Sequence, residues 1–345
     1  MSMGSHICVL HLWAETRRGP AKIEAFHKLT IPDLFRLLAC TPQLTELSIS
    51  HWCWEADEKD VTRPVVHKLR KLVLEGNHSV DGGKALMQVL KLSDTWDSVI
   101  IMPNYGNSST EVSSRPEMAI SSLFLAFPYD YHAIHSLAYH LPRCMDLQML
   151  RLRCHFASFT VLNYVLFTNP VFSSIRLLHL DFDRSPPAVL SEWSKLTLES
   201  CQSLETLAVT TSLDPTYIQP FGSSSTPSDL LLHLFSQPLP SLRRVELHVF
   251  HVRYGMSRLR YHLSLVDWTV ISELMCVSSL VELQLSFCDQ LSSRHGPDPW
   301  TKELYEPIAL ALTGICSIEV ATSDPSSRSF RRQKTAAGAS ASRSI

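Results

Sequence analysis

Apolar residues recur along this chain in the order apolar-x-x-apolar-x-apolar. The pattern falls at Ile7/Leu10/Leu12, Leu44/Leu47/Ile49, Leu69/Leu72/Leu74, Trp96/Val99/Ile101, Ile120/Leu123/Leu125 and Leu147/Leu150/Leu152. It continues at Ile175/Leu178/Leu180, Leu204/Leu207/Val209, Leu242/Val245/Leu247, Leu280/Leu283/Leu285 and Ile315/Ile318/Val320. From 44 to 204 the starts advance by 25, 27, 24, 27, 28 and 29 residues, and the later steps of 38, 38 and 35 each contain a loop insertion. The last two members of a triplet are two residues apart, which puts them on one face of a short strand. Between triplets, apolar residues at i, i+3 and i+4 mark a buried helical face. They include Leu34/Leu37/Leu38, Leu86/Val89/Leu90, Ile134/Leu137/Ala138, Leu231/Leu234/Phe235, Ile271/Leu274/Met275 and Ile308/Ala311/Leu312. Pro32 stands in a first turn, where a missing N–H costs little.

One short strand and one helix cannot bury their apolar faces alone, so successive units must stack to share one continuous core. Helix, turn and strand at this period describe a leucine-rich repeat. The expectation for residues 1–322 is an α/β leucine-rich-repeat-like solenoid, with a parallel concave sheet and helices on the convex side. The repeats are degenerate: the Asn that often follows the triplet in tidy repeats is seen only at Asn77. Residues 323–345 read as a disordered, basic Ser/Ala/Arg-rich tail.

Thr41-Pro-Gln-Leu-Thr-Glu-Leu-Ser-Ile49, Leu239-Pro-Ser-Leu-Arg-Arg-Val-Glu-Leu247 and Val277-Ser-Ser-Leu-Val-Glu-Leu-Gln-Leu285 carry a resemblance. They are similar to the irregular repeats of fungal F-box/leucine-rich-repeat proteins, over about residues 7–320. The resemblance implies a receptor whose repeats select a substrate, while an N-terminal F-box docks a ubiquitin-ligase adaptor. No F-box is read here. Ile31-Pro-Asp-Leu-Phe-Arg-Leu-Leu38 shares a faint likeness with the opening of one, but fits better as the helix before the strand at Leu44. An adaptor is therefore an expected partner only if an F-box lies upstream. The first triplet begins at residue 7 with no helix before it, which implies either an unusual cap or a longer parent chain.

If the triplets face inward, the residues between and after their apolar members face the other way. Those positions read Glu46/Ser48/Ser50, Lys71/Val73/Glu75, Ser98/Ile100/Met102, Ser122/Phe124/Ala126 and Met149/Arg151/Arg153. Next come Leu177/His179/Asp181, Thr206/Ala208/Thr210 and Arg244/Glu246/His248. Ile100, Met102, Phe124, Met149 and Leu177 form a candidate apolar patch, rimmed by Arg151, Arg153, His179 and Asp181. An apolar centre with an Arg-containing rim is a common build for a protein-binding hot spot. The competing reading is a slipped register, or a loop folded over the patch as ordinary core. Arg153 and Asp181 are expected side by side, so a structural salt bridge accounts for both equally well.

Composition narrows the remaining classes. The chain of 345 residues is 45% hydrophobic and 19% charged, enough for a core. A net charge of -2 gives no pull toward nucleic acid or an anionic membrane. No apolar run reaches spanning length, and the N-terminus lacks a basic leader. Nine cysteines without a CxxC pair read as buried thiols, placing the chain in the cytoplasm or nucleus. Arg331-Arg-Gln-Lys334 is either a solvated stretch or a patch for nuclear import or an acidic partner.

Catalytic signatures are missing: there is no HExxH, Gly-x-Ser-x-Gly, dinucleotide fingerprint or EF-hand loop, so no catalytic residue, metal or cofactor is expected. Gly82-Gly-Lys84 lacks the rest of a phosphate loop and reads as a helix start. His248/His251 read as a strand end rather than metal ligands, and Asp181/Asp183 as a strand-end turn rather than paired carboxylates. Asn104–Glu117, Thr211–Asp229 and Asp289–Pro299 read as surface loops, with partner-binding insertions as the alternative. The function expected is protein recognition on the concave face, as part of a ubiquitin-ligase receptor or as a stand-alone scaffold or inhibitor.

Overall fold

The computed structural model describes residues 6–13, 28–55, 68–76, 78–79, 84–102, 117–127, 143–154, 173–182, 197–212, 233–234, 236–251, 269, 282–289 and 316–319. The chain opens with β1 (Val9–Trp13), β2 (Lys28–Thr30), α1 (Ile31–Ala39), β3 (Glu46–Ser50), β4 (Cys53–Glu55), β5 (Lys71–Glu75) and β6 (His78–Ser79). There follow α2 (Lys84–Leu90), β7 (Thr95–Trp96), β8 (Ser98–Met102), β9 (Glu117–Ile120), β10 (Ser122–Phe127), β11 (Arg143–Met145) and β12 (Met149–Cys154). The last are β13 (Leu177–Phe182), β14 (Thr206–Ser212), β15 (Arg244–His251), β16 (Glu282–Asp289) and β17 (Cys316–Glu319).

Eleven strands form one sheet in the order β1-β3-β5-β8-β10-β12-β13-β14-β15-β16-β17, so neighbours in the sheet follow one another along the chain. Every pairing in it is parallel. The protein is thus α/β with a large parallel sheet. Two three-stranded parallel sheets, β2-β4-β6 and β7-β9-β11, accompany it.

Register explains the spacing of the triplets. Leu47, Leu72, Val99, Leu123, Leu150, Leu178, Leu207 and Val245 are lateral partners in one row. Ile49, Leu74, Ile101, Leu125, Leu152, Leu180 and Val209 form the next, and both rows are buried. A one-residue slip would turn both rows to the opposite face, so burial fixes the register.

The first members divide. Leu44, Leu69, Leu147, Ile175, Leu204 and Leu242 are buried just ahead of their strands, whereas Trp96 and Ile120 pair with each other in the smaller sheet. At the far end the expected triplet Ile315/Ile318/Val320 is displaced by two residues. Cys316 and Ile318 are the partners of Leu283 and Leu285.

Adjacent units are joined by a repeated hydrogen-bond device. The carbonyl of the residue before a strand accepts two backbone N–H groups from the next unit. Thr45 O takes those of Arg70 and Lys71 at 2.9 and 3.1 Å, and Gln148 O takes those of Arg176 and Leu177 at 2.9 and 3.0 Å. Cys8, Arg70, Ser121, Arg176 and Glu205 do the same. A matching turn leads into three of the strands, where the N–H groups of Leu44, Leu204 and Leu242 donate to the carbonyls of Thr41, Cys201 and Leu239.

Helix α1 starts where the sequence places it. The Thr30 hydroxyl accepts from the Asp33 N–H at 3.3 Å and donates to its carboxylate at 2.6 Å, with Pro32 in the first turn. Its buried stripe is Ile31, Leu34, Phe35 and Leu38; the expected Leu37 is exposed, because the i, i+3, i+4, i+7 row runs from Ile31. In α2, which Lys84 opens, Val89 and Leu90 are buried and Leu86 is half-buried. Leu234 is buried. Leu231, Phe235, Leu280, Ile315, Val320 and the expected faces at Ile134, Ile271 and Ile308 lie outside the described residues, as do Asn77 and the 323–345 tail. Of the expected loops, only end residues are described: Glu117 opens β9, Thr211 and Ser212 close β14, and Asp289 closes β16.

The cysteines are not uniformly buried. Cys201 is, whereas Cys8, ahead of the end strand β1, and Cys40, the C-cap of α1, are exposed. Strand β1 ends the sheet with Val9 and Trp13 exposed and Leu10 and Leu12 half-buried. Among the described residues, no helix is long and apolar enough to cross a membrane.

Candidate functional site

Strand alternation turns the residues between the buried rows to the opposite face of the sheet, where the register again aligns them. One row reads Val73, Ile100, Phe124, Arg151, His179, Ala208 and Glu246. Beside it, Met149 pairs with Leu177, and Leu177 in turn with Thr206; on its other side, Ala126, Arg153, Asp181, Thr210 and His248 follow in sequence. Met102 is the partner of Glu75. All nine candidate residues therefore share one face on the consecutive strands β8, β10, β12 and β13. The apolar members fall into two groups: Ile100, Phe124 and Met102 toward β8, and Met149 with Leu177 along the adjoining row.

Their accessibility differs. Ile100, Met102, Met149 and Leu177 are half-buried. Phe124 is only 7% exposed, and both guanidiniums stand over its ring, with Arg151 Cζ 4.9 Å and Arg153 Cζ 5.6 Å from the centroid. Such stacking joins ring quadrupole to cation and shields the ring from water. Phe124 is thus the floor of the site, and the two guanidiniums cover it.

Both arginines converge on one carboxylate. Arg151 Nη2 donates to Asp181 Oδ2 at 3.1 Å, and Arg153 Nε donates to the same oxygen at 3.0 Å. Arg153 and Asp181 are register partners, so the expected salt bridge is present, and the spacing brings Arg151 into it as well. The Asp181 side chain is 2% exposed. Burial works against its ionisation, but Arg153, then Arg151, outweigh it and hold the carboxyl below its ordinary range.

The site continues into β14 and β15. His179 Nε2 lies 2.7 Å from Thr210 Oγ1, and its ring centroid is 5.8 Å from that of His248. Burial above all, then the positive charge of Arg151, lowers the His179 pKa to about 3, so the ring is neutral at ordinary pH. His248 Nε2 lies 3.4 Å from Glu246 Oε2, and Arg244 Nε lies 3.0 Å from Glu246 Oε1. The hydrogen bond from His248 is the main cause holding the Glu246 carboxyl low, with Arg244 adding to it against burial.

Thr210, His248 and Glu246 belong to the site although the sequence placed none of them in the candidate patch, and His248 was read there only as part of a strand end. Each occupies an opposite-face position in the alternating pattern. Their chemistry becomes visible only when the register sets them beside His179 and Asp181. His248 and His251 both lie within β15, which extends to His251, and Asp181 lies inside β13 rather than in a turn; Asp183 is outside the described residues. Among the described residues, no group of three or more His, Cys, Asp or Glu side chains is placed to hold a metal ion.

What the face offers is binding chemistry: half-buried apolar side chains beside a pair of anchored guanidiniums. Compared with known protein families and with curated proteins, the chain matches none of either.

Proposed function

We propose that the chain is a degenerate leucine-rich-repeat solenoid that binds another protein on the concave face of its sheet. In its most specific form, the reading makes it the substrate-binding region of an F-box-type ubiquitin-ligase receptor, working in the cytoplasm or nucleus without covalent chemistry of its own. The observation that carries it is the row arrangement on β8, β10, β12 and β13. Successive units set Ile100, Met102, Met149 and Leu177 on one face, with Arg151 and Arg153 fixed beside them by Asp181. Arg and large apolar side chains held in fixed conformations are what hot spots use, because little side-chain freedom remains to be lost on binding.

The test is a selection of peptides from a displayed library of random 12-residue sequences on the purified chain. Substitution follows at the half-buried positions, Met149→Glu and Leu177→Arg, since the buried Phe124 also supports the fold. Opposite charges are chosen so that simple repulsion cannot explain both results. Each variant is expected to weaken the selected peptides by at least about tenfold, the scale of a hot-spot loss, with unchanged thermal denaturation. If every selected peptide binds both variants as it binds the wild type, the reading is wrong.

The ligase link rests on the resemblance of the three repeat segments. Mapping the 5′ end of the native transcript decides it. An in-frame F-box upstream of Met1 supports the receptor role; a start at Met1 removes it and leaves a stand-alone scaffold or inhibitor.

A further inference from the structure

We propose that the partner segment is acidic as well as apolar, with an Asp or Glu carboxylate seated on Arg153 and Arg151 and a neighbouring apolar side chain on Met149 and Leu177. This rests on the recognition reading above and names the chemistry of the partner. The argument is charge complementarity. Two guanidiniums share a single carboxylate oxygen, Asp181 Oδ2, so the trio keeps one positive charge. The neighbouring His179 is neutral and offsets nothing. Farther along the face the balance reverses: Arg244 is 3.0 Å from Glu246 and 3.7 Å from Glu282, so that trio keeps one negative charge. Among the described residues of this face, the positive surplus therefore lies on β12, beside the half-buried apolar side chains.

Donor geometry points the same way. Arg153 engages Asp181 through Nε alone, and among the described residues nothing takes its two terminal nitrogens. A guanidinium fork held at one corner by a buried anion is pre-oriented to receive a second carboxylate at the other. Its side chain is 21% exposed against 16% for Arg151, so Arg153 is the more accessible of the two. A basic segment would meet like charge here, and a purely apolar one would leave the fork without an acceptor.

The same displayed library supplies the test. Peptides whose binding depends on Met149 and Leu177 are expected to be enriched in Asp or Glu next to Leu, Ile, Phe or Met. Resynthesis with Glu→Gln and Asp→Asn should weaken them at least about tenfold, the scale of a hydrogen bond to a charged group. Arg153→Gln should cause a similar loss, and Arg153→Lys should restore part of it. The amide peptides need no variant protein, so an arginine variant that does not fold leaves the test standing. Dependent peptides that bind equally well as amides overturn this inference and leave the recognition reading standing. Absence of any dependent peptide removes both.

Discussion

His179 and Asp181 sit two residues apart on one strand and are perturbed by different forces, yet both make the protein sensitive to acid. His179 is held neutral by burial, with a pKa lowered from 6.5 to about 3, so the unfolded chain binds a proton that the folded one refuses. Stability is complete above about pH 6.5 and declines as the pH falls toward 3, by on the order of 2 kcal/mol at pH 4.5. Asp181 is shifted down, so its contribution is present above its unfolded pKa and disappears as the pH falls through the folded one. Urea denaturation at pH 7, 5.5 and 4.5 should therefore show a falling midpoint, with His179→Gln flattening the decline. A midpoint independent of pH in the wild type would mean that His179 is solvated. Cys201 is different in kind. Burial pushes its thiol up to about 11, so alkylation should reach Cys8 and Cys40 first and Cys201 only on unfolding.

At the level of elements, a strand's value depends on its place in the sheet. Leu150 is fully buried in β12, whereas Leu12 is half-buried in the end strand β1. Leu150→Ala should cost about 2–5 kcal/mol and Leu12→Ala distinctly less, read from denaturation midpoints. Thr30→Ala removes the α1 cap and should cost about 1 kcal/mol. The strands were legible in the sequence because burial leaves a period of two that only one register satisfies. The small sheet β7-β9-β11 was not, since Trp96 and Ile120 are apolar in either setting and only the turn at Asp97 and Ser121 separates them from β8 and β10. Nor was the true stripe of α1, where Leu37 and Phe35 are equally apolar and the choice depends on which side faces the core. In the candidate site, alternation alone gave the faces of all nine residues. It gave neither the burial of Phe124 under two arginines nor the sharing of Asp181, because both follow from side-chain reach across strands.

At the scale of the whole molecule, each described strand of the large sheet pairs only with those members of that sheet that come just before and just after it along the chain. Contacts between distant parts of the chain are therefore relayed through neighbours, and opening should begin where a neighbour is lacking. Native-state hydrogen exchange should be slowest in β10 through β14 and faster in β1, whose outer edge has no pairing among the described strands. Equal protection throughout would indicate that the sheet opens as a single unit.

The doubly accepting carbonyl at the joins has a consequence for inheritance. Ser121 O grips the amides of Gln148 and Met149 as Gln148 O grips those of Arg176 and Leu177. Removing residues 148–175 would present Ser121 O with Arg176 and Leu177, the same donors in the same frame. At the strand join, no new hydrogen bond would have to be invented. Length in such a chain is a quantity that unequal recombination can adjust a unit at a time, and the charged face can be rewritten by exchanging units rather than by altering them one residue after another.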